Sequence, residues 1–406
     1  MSQNRVRGMV LLFLLFVMVA LTALVAAQEA PRASQYIPVA TGLDSPRHLD
    51  FGADGALYVA EAGSGGAQCV PAGEDQRCIG STGAITRIAG GTATQLVDDM
   101  VSVALEDGSD AVGPHDVAWD GAGNLMVIVG LGTDPGIRGA GGPFGAISDN
   151  LGQLVQVAAD GSWTNVVDVS AYEAAENPDG GEIDSNPYAL ARVDGGFLVA
   201  DAGANALLHV ADNGDISTVA VFPDRMVEFP PGSGQQAVPT SVAVGPDGAY
   251  YVGQLTGFPF PVGGANIYRV VEGEEPVVYA SGFTNIVDIA FDDDGNLYVV
   301  EITKNSLLSG DPTGALIRVD DAGHQTVIAS KGLDFPGGVA IGDDGYLYVT
   351  IWAGQGNEIG QVVRISADLM VGVPGQRMAS VLDDAERLVG LGVEHLSIYL
   401  LDLDKN

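Results

Sequence analysis

Residues 287–302, VDIAFDDDGNLYVVEI, decide the fold of this chain. An apolar run, an Asp/Gly turn and a second apolar run follow one another here, which is typical of a hairpin of two half-buried strands. The pattern recurs five times, at 47–62 (RHLDFGADGALYVAEA), 115–130 (HDVAWDGAGNLMVIVG), 188–203 (YALARVDGGFLVADAG), 240–255 (TSVAVGPDGAYYVGQL) and 337–352 (GGVAIGDDGYLYVTIW). Six hairpins at a spacing of 47 to 72 residues indicate a repeat protein.

Two further strands follow most hairpins, as in GALIRVDDAG (314–323) and QTVIA (325–329). The sixth unit stops after its third strand, near Ile365. The missing strand is found at the other end, because YIPVATGLDSP (36–46) matches TVIASKGLDFP (326–336). The sequence therefore predicts an all-β, six-bladed β-propeller of four-stranded blades over residues 34–365. Its N-terminal strand completes the last blade, so that ring closure leaves no open sheet edge.

The repeat also carries a family resemblance. FLVADAGANALLHV (197–210) and LYVVEI (297–302) look like NHL repeats. The order GLDSPRHLDFGADGALYVAEAGSGG (42–66), CIGSTGAITRI (78–88) and VPTSVAVGPDGAYYVGQLTGFPFP (238–261) resembles the ScyD/ScyE family, named for proteins of the cyanobacterial scytonemin gene cluster. The resemblance implies an exported six-bladed propeller and suggests a role in processing an aromatic pigment or secondary metabolite. It implies no established reaction.

Charge excludes one large class of partners. The 406 residues hold 52 acidic and 17 basic side chains, for a formal net charge of −35. Nucleic-acid phosphates demand a basic surface, so we expect no nucleic-acid partner.

The N-terminus is typical of an export signal. Arg5 and Arg7 precede an uncharged run over 9–25, and small residues allow a cut after Ala27. We expect residues 1–27 to be a signal peptide and the protein to be periplasmic, on the cell surface or secreted. Membrane contact is expected only if the leader is retained as an anchor. The tail, 366–406, departs from the repeat; its apolar spacing predicts a short helix, with a partner-binding or disordered extension as the alternative.

The two cysteines fit an exported protein. Cys69 and Cys78 lie nine positions apart in one glycine-rich segment. An oxidising compartment would join them in a disulfide, and a metal site is the alternative, although no histidine pair lies nearby. We therefore expect the disulfide.

Strand order in a propeller places the long loops on one face. The loops between second and third strands and the blade-to-blade connections share it; we call it the loop-rich face. The short Asp/Gly turns share the opposite face, which we call the turn face. Function commonly lies in irregular loops on a rigid scaffold, so we expect the loop-rich face to bind a small molecule or a protein partner.

Aligning the units on their turns indicates candidate site residues. His48, His115, Asp116 and Asp288 stand at the start of innermost strands, where they would converge near the channel mouth. Carboxylates and imidazoles can bind a ligand, share a divalent cation, or act as a base and its orienting partner. Tyr188 lies beside them and could stack on a flat ligand; the equal alternative is that its ring packs under the loops. The alternative is structural, with both histidines bonded to neighbouring blades. No cofactor is assigned, and a divalent cation is the group that this set would suit.

Two classes of function compete. We expect a non-catalytic binding or accessory protein, because no recognisable catalytic set is present and no GxSxG motif occurs. The alternative is a metal-dependent hydrolase or lactonase of the gluconolactonase type, in which Glu, Asn and Asp at the channel mouth hold calcium. The equivalent positions here carry neither acids nor amides, and include Arg47, His115 and Tyr188.

Two repeated sets are expected to be structural. The acids Glu61, Asp201 and Glu301 close second strands and should bind backbone groups, whereas the third strands carry Arg87, Arg269, Arg318 and Arg364, which should pair with acids.

Overall fold

The computed structural model describes residues 36–72, 75–226 and 234–366. The strands of the propeller lie between Tyr36 and Ser366. The expected signal peptide and C-terminal helix lie outside the described residues. Within the described ranges, no helix combines the length and apolar character needed to cross a membrane.

Six antiparallel sheets form the blades of a β-propeller, as the repeat predicts. Each blade starts with an inner strand at the channel. The first blade contains β2 (Pro46–Phe51), β3 (Leu57–Glu61), β5 (Asp75–Ala89) and β6 (Thr92–Leu105), with β4 (Gln68–Ala72) added beside β5; the second contains β7 (Pro114–Trp119), β8 (Leu125–Val129), β9 (Gln153–Val157) and β10 (Trp163–Asp168); the third contains β11 (Pro187–Val193), β12 (Gly196–Asp201), β13 (Ala206–Ala211) and β14 (Ile216–Val221).

The fourth blade contains β17 (Pro239–Val244), β18 (Tyr250–Gln254), β19 (Ala265–Val270) and β20 (Val277–Phe283); the fifth contains β21 (Ile286–Phe291), β22 (Leu297–Glu301), β23 (Ala315–Val319) and β24 (Gln325–Ala329); the sixth contains β25 (Val339–Ile341), β26 (Tyr346–Ile351), β27 (Gly360–Ser366) and β1 (Tyr36–Leu43). The pairing of β1 with β27 confirms the predicted closure of the ring. Between the blades lie the helix α1 (Val169–Glu176) and a two-stranded ladder of β15 (Arg225–Met226) and β16 (Gly234–Gln235). Within blades, 3₁₀ turns at Pro135–Ile137 and Ala146–Asn150 lie between β8 and β9, and one at Leu307–Ser309 lies between β22 and β23.

The turns form because their residues suit a positive φ. Gly248 has φ +77° and nothing lies within 4 Å of where a Cβ would be, so the backbone angle alone selects glycine there. Beside it, Asp247 accepts a hydrogen bond from the amide of Ala249 and pairs with Arg269 at 2.7 Å. Arg87 pairs with Asp54 in the same way, also at 2.7 Å. Arg87 and Arg269 therefore hold turns, as expected. Arg364 lies 3.9 Å from Asp344 in its own turn, whereas the Nε of Arg318 has no hydrogen-bond partner.

Apolar side chains on both faces of each blade form the core. Phe283, Ile286 and Ile267 are fully buried where the fourth and fifth blades meet. Ile85 and Val127 are fully buried between the first and second. Each blade buries its apolar surface only against its neighbours, which is why the ring needs all six blades.

The expected disulfide forms, and the glycine-rich segment that holds it contains two paired strands. The strands β4 and β5 pair antiparallel, and Cys69 and Cys78 stand directly opposite each other in this pair. Their Cα atoms are 3.9 Å apart and the S–S bond is 2.00 Å long. A disulfide of this kind indicates an oxidising, extracytoplasmic environment.

A bulge recurs at the start of the inner strands. In β2, β7, β11, β17 and β21 the register shifts by one residue directly after the first position. In a regular strand, successive side chains alternate between the two faces of the blade. The extra residue interrupts this alternation and changes the direction in which the side chains and backbone carbonyls of this segment point. The shifted positions are those of the candidate site residues, so the bulge decides where these side chains lie.

Candidate functional site

The five candidate residues come together as one buried cluster. His48, His115, Asp116, Tyr188 and Asp288 lie on the inner strands of the first, second, third and fifth blades. Their exposed fractions run from 1% to 8%. The cluster is therefore closed to solvent, and does not form the open channel mouth expected from the sequence.

His48 spans the channel. Its Nε2 lies 3.0 Å from the carbonyl oxygen of Val287, and its Nδ1 lies 3.4 Å from Asp116 Oδ2 and 4.0 Å from Asp288 Oδ1. Burial alone would lower the pKa of His48, but the carboxylates of Asp288 and Asp116 outweigh it and raise that pKa to about 9. The side chain is thus an imidazolium at neutral pH, and both of its N–H groups face acceptors.

The two carboxylates are occupied by backbone amides in an equivalent way. Asp116 accepts from Val117 N and from Leu190 N in the next blade, both at 2.7 Å. Asp288 accepts from Ile289 N and from Val339 N in the next blade, both at 2.8 Å. Each aspartate thereby joins two inner strands whose edges face the channel. Burial raises the pKa of Asp288 to about 6, against the lowering effect of His48.

A second layer closes the cluster towards the loop-rich face. The Arg47 guanidinium is 8% exposed; it donates to the Ala111 carbonyl and lies 3.4 Å from the Tyr188 hydroxyl. The Tyr188 ring packs against His48 and His115, with centroid distances of 5.4 and 4.6 Å. The sequence places Arg47 at the channel mouth but indicates no role for it. In the structure, its side chain covers the cluster on the side of the loop-rich face.

His115 differs from His48 in charge. Its Nδ1 lies 3.2 Å from the Pro187 carbonyl of the next blade, and its Nε2 has no hydrogen-bond partner. Burial, followed by the charges of Arg47 and His48, lowers the pKa of His115 well below its usual value. His115 is therefore neutral. The inter-blade bonds of both histidines agree with the structural alternative raised from the sequence.

Asp50 also belongs to this channel, although the alignment of the repeat units did not indicate it as a candidate. Burial, with the charges of Asp116 and Asp288, raises its pKa to about 7, against the lowering effect of the Phe51 amide. The other five blades carry alanine at this position (Ala118, Ala191, Ala243, Ala290 and Ala340). This difference is visible in the sequence: one blade carries an acid where the other five carry alanine. A residue that departs from an otherwise uniform repeat position indicates a local role of its own.

The channel residues do not suit the divalent cation that a gluconolactonase-like mechanism requires. A carboxylate that already accepts two amides offers few lone pairs to a metal, and an imidazolium offers none. Over residues 36–72, 75–226 and 234–366, no group of three or more His, Cys, Asp or Glu side chains could hold a metal ion. The cluster is better suited to joining blades than to catalysis.

The repeated second-strand acids also join backbone segments, as expected. Glu61 accepts from Asp44 N and Glu301 from Thr284 N, both at 2.6 Å, in the connections that lead into inner strands. Asp201 accepts from Asn186 N at 2.7 Å. These carboxylates hold the blade-to-blade connections in place.

The loop-rich face carries the exposed apolar groups that the channel lacks. The loop 257–264, between β18 and β19, exposes 58% of Phe258 and 65% of Val262. Leu308, between β22 and β23, and Ile359, between β26 and β27, are 60% and 46% exposed. The loop-rich face therefore displays large apolar side chains on three successive blades.

Comparison with known proteins supports the fold. No protein-family model matches the chain, and none of the curated proteins matches it in sequence. A gluconolactonase from Xanthomonas campestris matches in structure with 11% identity and a TM-score of 0.50, over 81% of this chain and 89% of that one. A virginiamycin B lyase from Staphylococcus aureus has 11% identity and a TM-score of 0.43, over 82% and 98% of the two chains. A PQQ-bound aldose sugar dehydrogenase from Streptomyces coelicolor has 12% identity and a TM-score of 0.48, over 81% and 96%. At 11% identity, the match to the gluconolactonase shows a shared propeller fold and no shared activity.

Proposed function

We propose that this protein is an exported binding propeller that holds an apolar or aromatic partner molecule on its loop-rich face without transforming it. One observation carries the proposal: the loop 257–264 is anchored at its base while its tip is apolar and exposed. Gly257 N donates to the Gln236 carbonyl at 2.9 Å, Gly263 N donates to Thr284 Oγ1 at 2.9 Å, and Arg225 donates to the Gly264 carbonyl. A loop fixed in this way loses little conformational entropy on binding.

The apolar tip supports a partner of matching chemistry. Phe258 and Phe260 lie edge to face with a centroid distance of 6.4 Å, beside the exposed Val262. Exposed aromatic and branched side chains on a rigid support are typical of interaction surfaces. The resemblance to ScyD/ScyE proteins favours an aromatic small molecule. The leader and the disulfide favour an extracytoplasmic location.

The lactonase alternative has less support. Its metal would need the channel carboxylates, which are occupied by backbone amides and by the His48 imidazolium. Hydrolysis of glucono-1,5-lactone that requires added calcium or zinc and is lost in Asp288→Asn would favour it over the binding function.

A thermal-shift screen of neutral aromatic small molecules tests the binding proposal. The compounds that raise the unfolding temperature are then titrated against Phe258→Ser/Val262→Ser. A matched control is Val277→Ser/Val278→Ser, which changes two exposed apolar side chains on β20, away from the loop. We expect affinity to fall at least about tenfold in the loop variant, as for an apolar hot spot, and to be unchanged in the control. Binding that survives the loop variant, or a screen with no positive compound, would contradict the proposal.

A further inference from the structure

A buried carboxylate without a partner lies outside the channel, on α1. Glu173 has no exposed surface, and neither of its Oε atoms has a donor at hydrogen-bond geometry, although the Asp184 amide lies close enough to lower the pKa of its carboxyl. Two more buried acceptors without a donor lie in the connection from α1 to β11, namely Asn177 Oδ1 and Asp184 Oδ1. Four side-chain oxygens between residues 173 and 184 thus lack the donors that buried polar atoms normally have.

The surrounding charge is negative and the chain does not neutralise it. Burial, followed by the charges of Asp201 and Asp179, raises the pKa of Glu173 to about 7, against the lowering effect of the nearby Asp184 amide. Between Arg138 and Arg192 the sequence has eight acidic residues and no basic one. Arg138 itself pairs with Asp168 through both carboxylate oxygens, at 3.0 and 2.9 Å. Positive charge can reach this carboxylate as a proton or as a cation from solution.

The neighbouring acids differ from Glu173 because they have partners. Asp179 accepts from Gly181 N at 2.7 Å and from Asn205 Nδ2 at 2.9 Å. Asp201 accepts from the Ser185 hydroxyl at 2.7 Å. These two carboxylates shape the connection, and the oxygens that lack a donor belong to Glu173, Asn177 and Asp184.

The backbone at the end of α1 brings Asn177 close to Glu173. Asn177 follows the last residue of the helix, one turn beyond Glu173. Asn177 ends α1 with φ +41°, and its amide donates to the Glu173 carbonyl at 2.9 Å. Its side-chain Nδ2 donates to the Gly181 carbonyl at 3.1 Å, which leaves Oδ1 free to act as a ligand.

We propose that Glu173, Asn177 and Asp184 bind a calcium-class divalent cation in the connection between the second and third blades. The donor set consists of oxygen only, with two carboxylates and one amide, and calcium completes six to eight ligands with carbonyls and water. The site has only two acidic ligands, so it is consistent with the absence of any metal-binding group of three or more His, Cys, Asp or Glu side chains among the described residues. It is also separate from the channel and independent of the proposed function. Bound calcium would join α1 to the segment that leads into β11.

Calcium titration of the full chain, after treatment with EDTA, tests the proposal. Sites in extracellular modules have dissociation constants of about 0.1–1 mM, so calcium is added up to about 10 mM. We expect one calcium per chain by isothermal titration calorimetry, and a rise in Tm of roughly 2–4 °C. Magnesium should bind more weakly, because it demands a rigid octahedral site.

Glu173→Gln is the decisive variant, and Glu176→Gln is its control. Glu176 lies on the same helix but is exposed. Glutamine keeps the shape of Glu173 and removes its charge, so the variant should fold and its Tm without calcium should not fall. We expect it to lose the calcium-dependent shift and at least about tenfold in affinity, whereas the control keeps both. If the variant does not fold, Asp184→Asn takes its place. The absence of binding heat and of a Tm shift in the wild-type chain would overturn the proposal, as would an undiminished calcium response in Glu173→Gln.

Discussion

The charge of His48 makes the stability of the propeller depend on pH. In the unfolded chain an imidazole has a pKa of 6.5, whereas in the folded protein that of His48 is about 9. The folded state therefore holds the proton more tightly. The resulting stabilisation is fully present below pH 6.5 and is lost as the pH rises through about 9.

The magnitude follows from the size of the shift. At 1.36 kcal/mol per pKa unit, the rise from 6.5 to about 9 corresponds to about 3 kcal/mol. The groups that face His48 are Asp116 and Asp288, with Asp50 and His115 nearby. The pKa values of Asp288 and Asp50 are about 6 and about 7, so most of their own effect falls below the window in which His48 loses its proton. A loss of about 3 kcal/mol is a large share of the 5–15 kcal/mol by which folded domains are typically stable.

Guanidinium chloride unfolding from pH 6.5 to about pH 10, for the wild-type chain and His48→Gln, measures this term. We expect the wild-type free energy of unfolding to fall about 3 kcal/mol more than that of the variant, because glutamine does not titrate. His324→Gln is the control, since the His324 side chain is 78% exposed. Equal slopes for wild type and His48→Gln would refute the reasoning. If the variant does not fold, an NMR titration of His48 decides, and a pKa at or below 6.5 would contradict it.

Two further predictions concern stability. Reduction of the Cys69–Cys78 disulfide should lower the free energy of unfolding by about 2–3 kcal/mol, the value for a loop of about ten residues, as measured by thermal unfolding with and without dithiothreitol. The double variant Cys69→Ser/Cys78→Ser should not respond to the reductant, and an unchanged wild-type midpoint would count against a structural disulfide. Gly253→Ala should destabilise by about 1–3 kcal/mol, because its Cβ would lie 2.5 Å from Ser241 Oγ and 2.8 Å from Ile286 Cγ2. Gly248→Ala meets open space at φ +77° and should cost only about 1 kcal/mol of backbone strain, so denaturant midpoints in the reverse order would contradict the packing of the fourth blade.

The site shows how far the pattern in the sequence reaches. Alignment of the repeat placed His48, Asp116 and Asp288 at equivalent positions near the channel. In the structure, both carboxylates lie within 4.0 Å of the His48 ring. Their partners could not be predicted, because Leu190 N and Val339 N belong to other blades and become donors only when the ring closes. The bulges that turn these residues towards the channel have no signature in the composition of single strands.

Local periodicity and the repeat determined the blades, the turns, the closing strand and the disulfide pair, because each depends on residues close in sequence or on a copied segment. Tertiary structure alone decided which polar groups are free. Arg47 and Tyr188 seal the channel, Asp116 is occupied, and Glu173 is buried without a partner. A carboxylate can bind a ligand, act as a base or join two strands. Which of these it does depends on its burial and on hydrogen-bond donors from distant segments, and only the folded chain brings those donors to it.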